Sequence, residues 1–373
     1  MMPPRFAHST RAVALIALAF LNTHSHSTYG ELPPAKHTSS TPAQNATSQN
    51  ATSQNPTSQN ATSQNATSQN ATSQNATSQN PTSQNPTSQN PTSQNPTSQN
   101  PTSQNATSPY VEYQPGELPI IITAPHGGRE KPETIPDRPS GTFAFDTNTQ
   151  ELARAIGEMF KIRSGKNLPL VICKLHRTKL DCNREIVEGA AANPNASLAW
   201  NTYHNAIESA IQDGLKHHPA LLLIDLHGHG HTVQRLEMGY GQGPETLRLE
   251  DAALNSAKVT SQSSLAALAK TGRTSHADLI HGPRSLGTLM EKAGFPSTPS
   301  STVPLPPAPY FNGGYTIRTY ASAERNVATL QIETNYTGVR DNAASRTHFA
   351  NTLFDVLSVY LQTHLAINIP TAR

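Results

Sequence analysis

A five-residue repeat running from Gln44 to Ser108 is the feature that most constrains what this chain can fold into. Its unit, Gln-Asn-Ala/Pro-Thr-Ser, contains no charged side chain and no aliphatic residue larger than alanine. Such a segment cannot bury enough apolar surface to offset the entropy lost on ordering. Residues 31–108 are therefore predicted to be a disordered low-complexity spacer, stiffened where the unit contains proline, and a folded domain is expected only over residues 109–373.

Residues 1–30 are typical of a secretory signal peptide. Arg5 and Arg11 precede an apolar run from Ala12 to Leu21, and small and polar residues follow up to Gly30. The run is too short to span a bilayer, and no later stretch approaches ~20 apolar residues. The sequence therefore predicts a secreted protein without a membrane span. In a eukaryotic secretory pathway the Asn-Ala-Thr triplets of the repeat would accept N-glycans and make it a glycosylated stalk.

The charge balance limits the classes of partner. Lys and Arg total 27 against 25 for Asp and Glu, a net charge of +2, and no five-residue run of like charge occurs. Binding to nucleic acid or a polybasic interaction with a membrane surface is therefore not expected. A small molecule remains the partner class to consider.

Strand-like and helix-like segments alternate through the folded part. Continuous apolar runs predict buried strands at Leu118–Ala124, Pro169–Leu175 and Ala220–Leu226, and helical periodicity lies between them at Thr149–Ile162 and Tyr203–Ile211. This alternation predicts a single three-layer α/β domain in which a mainly parallel mixed sheet lies between helices.

Further elements complete the predicted domain. Two more strands are expected at Tyr315–Tyr320 and Val327–Glu333, and a closing helix at Ala343–Leu365. The Pro-rich stretch Phe295–Pro309 is expected to be a loop on the rim of the site. Cys173 and Cys182 could form one disulfide in an oxidising compartment or remain as two buried thiols.

Histidines follow two of the predicted strands. His126, in Pro-His-Gly-Gly, comes directly after the first strand, and His227 comes at the end of the third. Parallel strands end at one edge of a sheet, and imidazoles are good zinc ligands, so these two histidines are predicted to bind one zinc ion. Asp225 could fix the tautomer of His227.

A catalytic zinc commonly has a third protein ligand and a water molecule. Asp146, before the first helix, is the preferred carboxylate. The rivals that remain open are Glu130, Asp137 and Glu151.

Other polar groups follow the second and last strands. Residues 176–184 are rich in anion-binding groups, among which Arg177, Asn183 and Arg184 are candidate substrate ligands, and a structural pair between Asp181 and an arginine is the alternative. Glu333 ends the last strand and is the candidate general base.

These residues together resemble the N-formylglutamate amidohydrolase family, which is similar to zinc carboxypeptidases and aspartoacylase-type deacylases. The resemblance covers about residues 118–365. It is carried by Pro125-His126-Gly127-Gly128, Asp181-Cys182-Asn183-Arg184, Asp225-Leu226-His227, Gly313-Gly314-Tyr315-Thr316-Ile317-Arg318 and Gln331-Ile332-Glu333.

The resemblance implies a phosphorylase/hydrolase-like fold and a zinc-activated water that attacks an amide or formamide carbonyl. It implies His126 and His227 as ligands and Glu333 as the base. It also implies that Asn183 and Arg184 hold a substrate carboxylate and that Arg318 holds another anionic group. Arg129 stands where carboxypeptidases have a glutamate three residues after the first histidine, which leaves the carboxylate ligand open.

Secretion makes a peptide, a peptidoglycan fragment or another N-acyl amino acid as suitable a substrate as formylglutamate. Two functions of other classes remain open as alternatives to the hydrolase. One is a non-catalytic ligand-binding domain on a glycosylated stalk, and the other is a surface glycoprotein whose function lies in the repeat.

Overall fold

A computed structural model describes residues 108–372. The predicted signal peptide and almost all of the predicted spacer lie outside the described residues. Ser108, assigned to the spacer from sequence, is buried, and its carbonyl accepts a hydrogen bond from the Val111 amide.

Seven strands form one mixed sheet in the order β1-β3-β2-β4-β7-β5-β6. The four strands β3, β2, β4 and β7 run parallel to one another, whereas β1 runs antiparallel to β3 and β5 runs antiparallel to β7. The strands are β1 Val111–Gln114, β2 Ile120–Ala124, β3 Leu170–Cys173, β4 Leu221–Gly228, β5 Leu236–Gly239, β6 Ser297–Thr298 and β7 Val327–Thr334.

Helices cover both faces of this sheet. Their bounds are α1 Thr149–Ser164, α2 Ile186–Ala190, α3 Pro194–His217, α4 Pro244–Leu247, α5 Asp251–Leu254, α6 Ala257–Ser261, α7 Ala266–Ala269, α8 His276–His281, α9 Leu286–Lys292, α10 Tyr315–Tyr320 and α11 Ala343–Leu365. An irregular turn at Tyr336–Arg340 joins β7 to α11.

Alternate residues of the central strands build two separate cores. In β2, Ile120 and Ile122 pack with the apolar residues of α1, α8, α9 and α11, whereas Ile121 packs with α3 on the opposite face. This alternation follows from the two-residue repeat of a strand that is covered on both sides. The predicted three-layer α/β domain with a mainly parallel mixed sheet is thus confirmed.

The prediction of a strand at Tyr315–Tyr320 is wrong, since this segment forms the helix α10. Its β-branched and aromatic residues favour a strand locally, but Thr316, Ile317 and Tyr320 are buried together at helical spacing. The Tyr320 hydroxyl reaches the His204 ring at 2.8 Å. Tertiary packing here overrides local propensity.

Two further sequence expectations concern the cysteines and the membrane. Cys173 and Cys182 are both buried and both free thiols. Burial, followed by the neighbouring Cys173, raises the pKa of Cys182 well above its usual value. Within residues 108–372, the helices are all too short or too polar to cross a bilayer.

Candidate metal centre and active site

The polar side chains expected in the site lie at the carboxyl ends of three neighbouring parallel strands. His126 follows β2 by two residues, and His227 and Glu333 lie near the ends of β4 and β7. In the sheet register His227 is directly opposite Glu333. Ligands of such sheets bind beyond the carboxyl ends of the strands, and this is where the chain gathers its ionisable groups.

A cavity of about 550 Å³ opens over these strand ends. The predicted site residues that line it are His126, Asp146, Arg177, Asn183, Arg184, His227 and Glu333.

Three of these residues form one buried cluster, His126, Asp146 and His227. The Nδ1 atoms of the two histidines are 3.1 Å apart. Asp146 Oδ2 lies 3.1 Å from Nδ1 of His227 and 3.6 Å from Nδ1 of His126. The structure therefore brings together the three side chains that sequence reasoning preferred as metal ligands.

The other ring nitrogen of each histidine meets a buried carboxylate. His126 Nε2 lies 2.7 Å from Asp181 Oδ1, and His227 Nε2 lies 2.8 Å from Asp225 Oδ2. Each Nε2 therefore carries the proton and donates it to the carboxylate, as in the carboxylate–histidine pairs of zinc sites. The two Nδ1 lone pairs then face each other and Asp146 Oδ2, an arrangement that requires a cation between them.

The spacing of these atoms fits a tetrahedral zinc ion. Zinc bonds of ~2.0–2.1 Å at tetrahedral angles place two ligand atoms about 3.3 Å apart. The three separations of 3.1, 3.1 and 3.6 Å bracket that value. Two imidazole nitrogens and one carboxylate oxygen are also a donor set that zinc uses in catalytic sites.

The carboxylates around the cluster favour positive charge within it. Burial alone would lower the pKa of His227, but Asp225 and Asp146 raise it well above the usual value. Burial alone would likewise raise the pKa of Asp146, and its contacts with His126 and His227 lower it. The cluster thus stabilises cationic charge at its centre.

The three rival carboxylates lie elsewhere on the surface of the domain. Glu130 is exposed and 3.5 Å from Lys174, and Asp137 is exposed and 3.0 Å from Lys179. Glu151 pairs with Arg129. Asp146 instead accepts a hydrogen bond from the Gly228 amide at 3.0 Å, which fixes its carboxylate beside β4.

Asp181 is the centre of a buried charge network. Besides His126, it meets Arg177 Nε at 2.9 Å and Arg138 at 3.8 Å. Burial would raise its pKa, but His126 and Arg177 lower it, so the carboxylate is held ionised. The alternative of a structural Arg–Asp pair is therefore present, and Arg177 reaches the cavity with its charge largely balanced.

Asn183 and Arg184 differ in their freedom to meet a ligand. The Asn183 Oδ1 accepts a hydrogen bond from the Thr316 amide at 2.8 Å, which fixes the side chain against α10. Arg184 is half-buried, and its only carboxylate contact among the described residues is with the exposed Glu188 at 3.2 Å. Arg184 is thus the more available cation of the two arginines in residues 176–184.

Arg318 does not line this cavity. It is exposed on α10, donates to the Gly313 carbonyl at 3.1 Å, and borders a separate depression of about 250 Å³. The substrate-binding role that the family resemblance implies for Arg318 therefore stays a prediction, and it has no support from the lining of this cavity.

Glu333 is buried at the wall of the cavity. Its Oε1 accepts a hydrogen bond from Gln331 Nε2 at 2.9 Å, so the two side chains share one face of β7 as expected. Burial, with added repulsion from Asp146 and Glu237, raises the pKa of Glu333 to about 8, against the opposing charges of His227 and Arg340.

A second His/His/Glu group, formed by His229, His231 and Glu237, lies beside the first. His229 Nδ1 accepts from the His231 amide at 3.1 Å, and its Nε2 donates to the Arg235 carbonyl at 2.7 Å. Glu237 lies 2.9 Å from His231 Nδ1 and accepts from Arg235 at 3.1 Å and from the Phe311 amide at 2.9 Å. Glu237 therefore fastens the rim segment at Phe311 to β5.

Sequence reasoning missed this network and Arg340, which also lines the cavity. Arg340 follows Glu333 by seven residues in an irregular turn, where no periodicity indicates its direction. One signal was available for the rim: Tyr310 and Phe311 directly follow the Pro-rich stretch, and these residues line the cavity.

The triplet Asn335-Tyr336-Thr337, which has the sequence pattern of an N-glycosylation acceptor, borders the site. Asn335 is buried, and its Nδ2 donates to the Thr337 carbonyl at 2.7 Å. The acceptor nitrogen is therefore engaged within the fold, whereas the acceptor at Asn195 is exposed in the first turn of α3.

No family model matches the sequence, and none of the curated proteins matches it. Solved structures similar to the chain include N-formylglutamate amidohydrolase from Ralstonia eutropha JMP134, at 13% identity and a TM-score of 0.43, covering 69% of this chain and 99% of the other.

Two further similar structures are the zinc-free apo form of YNDL and the succinylglutamate desuccinylase from Chromobacterium violaceum. YNDL is 16% identical with a TM-score of 0.30, over 66% of this chain and 88% of the other. The desuccinylase is 14% identical with a TM-score of 0.28, over 68% of this chain and 65% of the other. Because these identities are low and each TM-score is below 0.5, the function has to be inferred from the site residues themselves.

Proposed function

We propose that this chain is a secreted, zinc-dependent hydrolase that cleaves an amide bond in a small N-acyl amino acid or peptide-like substrate. The observation that carries the proposal is the convergence of three lone-pair atoms, on His126, Asp146 and His227, at separations of 3.1 to 3.6 Å. They lie beside a cavity that also holds a buried carboxyl group, Glu333.

A zinc ion held by His126, Asp146 and His227 would supply the Lewis acidity that activates water and polarises a carbonyl. The rest of the chemistry belongs to Glu333. Its carboxylate accepts a proton from the attacking water and returns it to the amine nitrogen as the C–N bond breaks. The water oxygen remains on the acyl carbon, so the products are a carboxylic acid and an amine.

The hydrogen bond from Gln331 holds the Glu333 carboxyl in place for both proton transfers. Burial raises the pKa of Glu333, whereas a zinc ion held by His126, Asp146 and His227 would lower it. A base whose pKa is moved towards the working pH can both accept and return a proton, as general acid–base catalysis requires.

Arg184 is the side chain best suited to hold a substrate carboxylate. It lines the cavity and is half-buried, and its contact with the exposed Glu188 can be exchanged for a ligand at little cost. Asn183, fixed against α10, would add a neutral hydrogen bond. An anionic amino-acid or peptide-like substrate fits this arrangement, and secretion is proposed from the N-terminal sequence pattern.

The ligand set is tested by measuring the zinc content and zinc affinity of the full chain and of Asp146→Asn. We expect about one zinc per wild-type chain. Loss of a residue that only supports a ligand lowers metal affinity by ~10- to 100-fold, so loss of the ligand Asp146 should lower it by at least as much. Asp137→Asn, which changes an exposed carboxylate, is the matched control and keeps full affinity. Equal zinc binding by Asp146→Asn would remove Asp146 from the site.

The catalytic role is tested with Glu333→Gln on a panel of N-formyl, N-acetyl and N-succinyl amino acids and short peptides. We expect kcat to fall by about 10²- to 10⁴-fold, the usual contribution of a general base, while zinc stays bound. Negligible turnover by both the wild type and the variant across the panel would favour the non-catalytic binding domain instead.

A further inference from the structure

Arg340 is among the most buried charged residues of the site. Across residues 108–372, the other buried arginines, Arg138, Arg177 and Arg235, each lie within 4.0 Å of a carboxylate oxygen, and Arg340 does not. A buried charge without an ionic partner is costly unless its donors are all used. The contacts of this guanidinium therefore need a specific explanation.

The guanidinium donates to three backbone carbonyls from three different segments. Nε donates to the Thr334 carbonyl at 3.2 Å and Nη2 to the His229 carbonyl at 2.9 Å, and Nη1 donates to the Thr147 carbonyl.

These carbonyls have one property in common, which is their place in the chain. Thr147 follows Asp146, Thr334 follows Glu333, and His229 is two residues after His227. One planar group thus connects the segments that carry two proposed metal ligands and the proposed base.

Two local features of the backbone agree with this role. A Cβ on Gly228 would lie 2.3 Å from Arg340 Cζ, so the glycine next to His227 makes room for the guanidinium. The Arg340 carbonyl accepts a hydrogen bond from Asn148 Nδ2 at 2.9 Å, and Asn148 has a left-handed backbone, φ 65°. This contact stabilises the turn that begins α1 just after Asp146.

We propose that Arg340 is a positioning residue that fixes Asp146, His227 and Glu333 relative to one another through the backbone carbonyls beside them. The inference rests on the proposed function, because it assigns Arg340 to the same metal site and base. Only arginine suits the role: a lysine offers its three donors from one atom, whereas these carbonyls are reached by three nitrogens in a rigid plane.

The test compares Arg340→Met and Arg340→Lys with the wild-type full chain. The readouts are zinc affinity by competition with a chromophoric chelator, the visible spectrum of the cobalt-substituted protein, and kcat and KM on the best substrate of the panel. Arg346→Met is the control, since within residues 108–372 Arg346 donates only to the Arg340 backbone carbonyl, at 2.9 Å.

We expect Arg340→Met to bind zinc about 10- to 100-fold more weakly, as is usual when the support of metal ligands is lost. Its cobalt spectrum should change and kcat should fall more than KM rises. Arg340→Lys should recover part of the affinity, and Arg346→Met should match the wild type.

Two outcomes would overturn the inference while leaving the proposed function intact. The first is an Arg340→Met protein that is less stable to urea but has wild-type zinc affinity and cobalt spectrum, which would make Arg340 purely structural. The second applies if Arg340→Met does not fold, and it uses Gly228→Ala, whose added Cβ displaces the guanidinium. Wild-type metal binding by Gly228→Ala would then overturn the inference. A wild-type chain that binds no zinc would instead refute the proposed function itself, and the inference with it.

Discussion

His204 is a buried neutral imidazole that connects α3 to the site loop. Its Nε2 donates to the Cys182 carbonyl at 3.0 Å, and its Nδ1 accepts from the Tyr320 hydroxyl at 2.8 Å. Cys182 lies between Asp181, which orients His126, and Asn183. Burial lowers the pKa of His204 to about 4, because a charged ring would lose hydration and would no longer accept the hydrogen bond from Tyr320.

This pKa predicts how stability depends on pH. Unfolded histidine has a pKa of ~6.5, so below that pH the unfolded chain binds a proton that the folded chain does not. The free energy of unfolding that the neutral His204 contributes is therefore fully present above pH ~6.5. It falls by about 3 kcal/mol in all as the pH decreases towards 4. Urea unfolding of wild type and His204→Gln at pH 7.5 and 4.5 measures this loss.

The variant should be less stable at pH 7.5 but should lose less stability than the wild type on acidification. His276, whose pKa is also about 4, is present in both proteins, so its effect cancels in the comparison. Equal losses in the two proteins would show that His204 is accessible to protons in the folded state.

At the residue scale, the sequence predicts the positions of side chains that lie on a strand or directly after one. His227 and Glu333 are on strands, and His126 follows one directly, so periodicity brings all three to one sheet edge. Asp146 could only be preferred among four carboxylates, because it lies on a loop. Arg340 could not be predicted, since its role depends on which backbone carbonyls meet in space.

The loops that follow β2 and β3 are docked against each other, and this contact brings His126 to Asp181. The Glu130 amide donates to the Lys174 carbonyl at 3.0 Å, and the His176 amide donates to the Glu130 carbonyl at 2.9 Å. Gly128 makes the close approach between them. A Cβ there would lie 2.1 Å from the Leu175 carbonyl oxygen, which is backbone and cannot rotate away.

Gly128→Ala is therefore expected to destabilise the domain by about 1–3 kcal/mol, the usual cost of overpacking. The measurement is the midpoint and slope of urea unfolding. Gly230→Ala is the matched control, because a Cβ at Gly230 has no heavy atom within 4 Å and should cost little. If both variants unfolded at the same urea concentration, the docking of the two loops would not be tight.

At the element scale, long periodic or continuously apolar segments were predicted well. The closing helix has the predicted bounds, Ala343–Leu365, and the first three predicted strands each overlap an observed parallel strand. The strands β1, β5 and β6 have only two to four residues, too few to show a pattern. The helices α4 to α9 are likewise short, and α4, α7, α8 and α9 place apolar residues in the core on the side of α1 and α11.

At the scale of the whole molecule, the two cores explain why the site is rigid. Strands β2, β4 and β7 are buried on both faces, so their carboxyl ends are fixed before any ligand arrives. Within residues 108–372, the buried apolar residues of both cores lie between Leu118 and Ile369. The composition of the repeat predicts that it contributes nothing to the stability of the domain.

Deleting residues 44–107 should therefore leave the urea unfolding midpoint, the zinc stoichiometry and kcat/KM of the chain unchanged. The deletion stops before Ser108, which is buried and hydrogen-bonded to Val111. A longer deletion, of residues 44–114, is the informative comparison. It removes β1, which pairs with β3 along Val111–Gln114, and would expose the β3 edge, so it should lower stability. Loss of activity in the shorter deletion would mean that the repeat takes part in catalysis. A phenotype that is lost with the repeat but retained in Glu333→Gln would place the protein's function in the repeat.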